Sequence, residues 1–84
     1  MNVSINGHEM SITPGIQEYV EKRVGRLERY LPTLDEARVD LREQNSSNAG
    51  DMYVTQITLY DKHGTILRAE ERTGEVHNGI DLAV

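Results

Sequence analysis

The sequence predicts an α+β domain of order β-α-β-β-β-α, with a four-stranded mixed sheet in spatial order 1-2-3-4 and both helices on one face. Three observations carry this. Apolar residues recur at three- and four-residue spacing from Ile16 to Leu31. Three runs further along alternate apolar with polar, and Asp61-Lys62-His63-Gly64 separates the last two with hairpin-turn composition. A chain of 84 residues supports one hydrophobic core, and therefore one domain.

The first strand covers Asn2 to Asn6, where Val3 and Ile5 share a face opposite Ser4, and Gly7 is expected to end it. Thr13-Pro14 starts a helix, because the Thr hydroxyl can cap free N–H groups and Pro at the first position gives up no bond. Ile16, Val20, Val24, Leu27 and Leu31 then form its apolar stripe, and Pro32 stops it. Ala37, Val39 and Leu41 alternate with Arg38, Asp40 and Arg42. Tyr53, Thr55, Ile57 and Leu59 alternate with Val54, Gln56, Thr58 and Tyr60. Gln44 to Asp51 has loop composition. A fourth strand is expected from about Thr65 to Glu70, with Leu67 and Ala69 inward, and a last helix from about Thr73 with Val76 and Ile80 on its apolar side.

Connection lengths fix the topology. A helix between the first two strands permits a parallel, right-handed crossover, whereas the later turns are short enough to demand antiparallel hairpins. One apolar face per strand puts both helices on the same side and leaves the other to water. The expected core is Ile16, Val20, Val24, Leu27, Val39, Leu41, Ile57, Leu59 and Leu67, and Tyr19 and Tyr30, bordering the stripe, read as core more readily than as base-stacking residues.

Several function classes are excluded or disfavoured. With no cysteine there is no disulfide framework, zinc ribbon or thiol nucleophile, and a reducing, cytoplasmic setting is expected. No apolar run reaches the length of a membrane span, so no membrane partner is expected. His8, His63 and His77 lack ligand-like spacing, so no metal is predicted. No nucleophile triad, paired carboxylates or Gly-rich phosphate loop is evident, so the chain reads as no enzyme, with no catalytic residue, cofactor or small-molecule substrate.

The net charge of −5, from 14 acidic and 9 basic residues, argues against a nucleic-acid partner when taken as a sum. The distribution argues otherwise. Lys22, Arg23, Arg26 and Arg29 all lie on the predicted long helix, and at about 100° per residue Lys22, Arg26 and Arg29 fall within roughly 60° of each other, with Arg23 on the flank. A solvated face with ordinary i,i+4 pairs is the plain alternative, and Glu18 to Lys22 fits it. Lys22 to Arg26 and Arg26 to Arg29 do not, since like charges at these spacings cost helix stability. An anionic partner with spaced phosphates would account for them.

The run ITPGIQEYVEKRVGRLERYL, Ile12 to Leu31, resembles the first-helix signature of the ribosome hibernation-promoting factor family, also known as sigma-54 modulation protein or ribosome-associated inhibitor. The opening NVSING, the hairpin ending in Gly64 and Ile80 to Val84 are similar at the corresponding places, so the resemblance spans essentially the whole chain. It implies a fold like that of double-stranded RNA-binding domains. It also implies binding at the decoding region of the small ribosomal subunit, over the mRNA and tRNA sites, with inhibition of translation and ribosome hibernation under stress. By position, Lys22, Arg23, Arg26 and Arg29 are the residues it implies for contact with ribosomal RNA. Residues 1–84 are then expected to be a ribosome-binding N-terminal domain cut within its second helix. The competing reading is a protein-interaction or dimerisation module, a homodimer included, whose basic stripe is only solvated surface. Co-sedimentation with small subunits discriminates the two.

Overall fold

A computed structural model describes residues 1–46, 50–64, 66–74 and 80. Its elements are β1 (Asn2–His8), α1 (Pro14–Tyr30), β2 (Leu34–Ser46), β3 (Gly50–Asp61) and β4 (Ile66–Thr73). The strands form one sheet in the order β1-β2-β3-β4, with β1 parallel to β2 and the two later pairs antiparallel. This is the expected topology, and it follows from the helix-length connection after β1 and the short ones after β2 and β3.

Register explains the core. Val3, Ala37, Leu59 and Leu67 form one row across the four strands, and Ile5, Val39, Ile57 and Ala69 the next. These rows face α1, which lies over β1 and β2 and buries Val20 and Val24 completely. Ala37, Val39, Leu41 and Ile57 are buried opposite, with Ile16, Tyr19 and Leu59 packed at the margin. Each fully buried aliphatic side chain contributes about 1.5–3 kcal/mol. Ile80, in helical backbone, is also fully buried against this cluster.

Several boundaries and burials differ from the sequence reading. β1 runs through Gly7 to His8, because a glycine can pair in a ladder as well as end one. β2 begins at Leu34 and reaches Ser46, while β3 begins at Gly50; most of the expected loop is thus paired strand, and residues 47–49 lie outside the described ones. Ladder hydrogen bonds here override side-chain polarity. β4 ends at Thr73, where the last helix was expected to begin. Among the described residues one helix element is defined, α1, and the remainder of the expected second helix, at 75–79 and 81–84, lies outside them.

Leu67, expected in the core, is 53% exposed, and Tyr30 is 81% exposed. The reason is lateral. α1 covers the β1–β2 half of the sheet, while β4 is an edge strand, so Leu67 lines an open apolar groove with Leu27, Leu31, Ile57, Leu59 and Ala69.

Candidate nucleic-acid interface

The helix that carries the basic stripe is fixed at both ends. The Thr13 hydroxyl accepts from the Ile16 N–H at 3.2 Å, Pro14 occupies the first position, and the Leu31 N–H donates to the Leu27 carbonyl at 2.8 Å. Burial of Val20 and Val24 then sets the rotation of α1, so the residues opposite them must face solvent.

Lys22, Arg26 and Arg29 are exposed and line one shallow groove together with Gly25 and Glu21. Gly25 has no side chain to fill the space between them, and a Cβ there would meet nothing within 4 Å. Two neighbouring carboxylates are engaged elsewhere. Glu21 accepts from the Gln17 side-chain amide at 3.3 Å, and Glu28 pairs with the N-terminal ammonium of Met1 at 3.3 Å. Arg29 also stands in the last turn of α1, where a cation complements the negative end of the helix dipole. Arg23 differs from the other three: it is half-buried and engaged within the protein. The four sequence candidates therefore divide into a trio on one surface and a flank residue turned toward the body of the domain.

The opposite face of the sheet is polar. His8 Nε2 lies 3.2 Å from Asp40 Oδ1, and a hollow of about 380 Å³ is lined by His8, Asp40, Arg42, Gln44, Val54, Gln56, Glu70 and Arg72. His63 supports the β3–β4 turn, its backbone N–H donating to Asp61 Oδ1 at 2.7 Å, and His77 lies outside the described residues. Among the described residues, no helix is long and apolar enough to cross a membrane, and no group of three His, Asp or Glu side chains is placed to hold a metal.

Comparison with known proteins places this geometry in a family. A ribosome hibernation promotion factor of Staphylococcus aureus is 36% identical over 78 residues, covering 93% of this chain and 40% of that protein. The crystal structure of the Thermus thermophilus Protein Y N-terminal domain matches with a TM-score of 0.80 at 29% identity, over 99% of this chain and 87% of that one. A ribosomal subunit interface protein from Coxiella burnetii shares the fold, with a TM-score of 0.82 at 14% identity, over 99% of this chain and 85% of that one. The family model for sigma 54 modulation protein / S30EA ribosomal protein matches residues 3–84, and the chain belongs to that family.

Proposed function

We propose that this domain binds the small ribosomal subunit at its decoding region, over the mRNA and tRNA sites, and so holds idle ribosomes out of translation in the cytoplasm. It does so as a binding module, without catalysis, cofactor or small-molecule substrate. The observation that carries the reading is the trio Lys22, Arg26 and Arg29 on one exposed face of α1. Like charges at these spacings destabilise a helix unless a polyanion neutralises them. Family membership and the hibernation relative support the ribosome as the source of that polyanion. The chain spans 40% of that relative's length, so residues 1–84 are assigned the ribosome-binding part of such an activity. Arg23 belongs to the interface as a flank residue that orients the row. The expected likeness to double-stranded RNA-binding domains fits a helix face reading phosphates by shape and charge.

Replacing Lys22, Arg26 and Arg29 together by Glu tests the reading. Co-sedimentation with small subunits and inhibition of in-vitro translation should both be lost, with the circular dichroism spectrum nearly unchanged because these side chains leave the core untouched. Wild-type inhibition by the triple variant would remove α1 from the interface. Co-sedimentation of neither protein would favour a protein-interaction module instead.

A further inference from the structure

The nine lysines and arginines are not spread over the surface. Four lie on α1, Lys62 lies in the β3–β4 turn, and the remaining four, Arg38, Arg42, Arg68 and Arg72, are all on the sheet face turned away from α1. Register fixes this. Arg38, Thr58 and Arg68 form one row across β2, β3 and β4, and Arg42, Val54 and Arg72 form another. Two strand spacings separate the arginines of a row by about 10 Å, and four residues along each strand separate the rows by about 13 Å. The four Cα positions thus mark the corners of a rectangle on the strands. Asp40 and Glu70 lie on its midline, and Glu36 lies beyond one end; these are the carboxylates that the register places on this face of the strands, three of the chain's 14 acidic residues.

Partnering within the face is uneven. Arg38 approaches Glu36 at 3.8 Å and lies 5.8 Å over the Tyr60 ring, and the Asp40 carboxylate is taken by His8. Among the described residues, the guanidiniums of Arg42, Arg68 and Arg72 form no ion pair or hydrogen bond, although all three are exposed. Thr58 and Val54, between the arginines of each row, are only 3% and 8% exposed. The result is a set of exposed arginines with unused donors, and the planar fork of arginine suits bidentate capture of phosphate.

We infer that this sheet face is a second phosphate-binding surface, so that the domain grips ribosomal RNA on two opposite sides and sits as a wedge between two RNA segments. The inference rests on the proposed ribosome binding and adds a face to it. One helix packed on one sheet is all that separates the two cationic surfaces, so they lie back to back across two layers. A domain that met RNA on α1 alone would gain nothing from placing four of its nine cations on the far side.

The test compares Arg42→Gln/Arg72→Gln with the α1 triple variant and with wild type, measuring affinity of the protein for isolated small subunits across a salt series. The Gln pair should weaken binding roughly tenfold, and should lower the salt slope by about 1.4–1.8 for two lost phosphate contacts. Arg42→Lys/Arg72→Lys, which keeps the stems and charges, should retain the slope and so controls for any loss of fold. Unchanged affinity and slope for the Gln pair would overturn the inference. Weaker binding with an unchanged slope would also overturn it, pointing to a protein neighbour on this face. The α1 triple variant keeps the outcomes apart: if it loses binding while the Gln pair does not, only the wedge fails, and if neither loses binding, the parent reading fails.

Discussion

At the β3–β4 turn one carboxylate ties the turn to the segment that enters β2. Asp61 accepts from the Thr33 hydroxyl through Oδ2 and from the His63 N–H through Oδ1, while its carbonyl accepts from the Gly64 N–H at 2.9 Å. Gly64 has φ +84, a conformation that only glycine adopts without strain. The bonds from Thr33 and His63 hold the Asp61 carboxyl below its usual value of 3.8. A carboxyl with a lowered folded pKa contributes stability above its unfolded pKa and loses it as pH falls through the folded value. Asp61→Ala should therefore melt below wild type at neutral pH, with the gap closing below about pH 4. Thermal melts from pH 2 to 7 check this, and a gap independent of pH would assign the turn's stability to something other than the ionised carboxylate. Gly7 is constrained differently: a Cβ there would meet the Met10 carbonyl at 2.5 Å, because Glu9, at φ 60, folds the chain back on the end of β1. That close approach delivers Met10 and Ile12 to the core margin and aims the chain into α1.

For the elements, position in the sheet decides what an apolar residue is worth. Leu41 on β2 is fully buried between β1 and β3, whereas Leu67 on the edge strand β4 is 53% exposed. Leu41→Ala should cost about 2–5 kcal/mol, by lost transfer energy and the cavity left behind. Leu67→Ala should cost well under half as much, about 1 kcal/mol, since much of its surface is already in water. Urea denaturation of the two variants compares them directly, and equal costs would mean that β4 is covered in solution. α1 shows the same dependence on partners, since its rotation follows from Val20 and Val24 docking on β1 and β2. Its cation trio is displayed as a consequence of that docking.

For the molecule as a whole, charge sorting outweighs charge total. Net −5 disfavours the compact state by self-repulsion, which salt screens, while contact with phosphates is weakened by salt. The melting temperature should therefore rise modestly between about 10 and 150 mM NaCl, where the screening length shortens from roughly 30 to 8 Å, while affinity for small subunits falls over the same range. Parallel melts and binding titrations read both signs. A melting temperature that drops with salt would mean that attractive pairs, such as the Met1 ammonium with Glu28 and Arg38 with Glu36, dominate the folded state.

Local patterns determined much of this protein. The Thr13-Pro14 cap, the 3.6-residue stripe and the two-residue alternation yield α1 and the strands, and the connection lengths yield their order, because each is read along the chain. The clustering of Lys22, Arg26 and Arg29 was legible for the same reason, since helix periodicity alone brings them together. Strand ends were not, because polar residues such as Gln44 are held by ladder bonds to a partner strand that local composition does not reveal. Nor was the exposure of Leu67 or Tyr30, which depends on where α1 sits across the sheet. The arginine rectangle shows the division most clearly. Sequence places Arg38 and Arg42 four apart on one strand and Arg68 and Arg72 four apart on another, but only the register of β2, β3 and β4 sets the two pairs side by side on one face, because cross-strand neighbours are chosen by tertiary pairing.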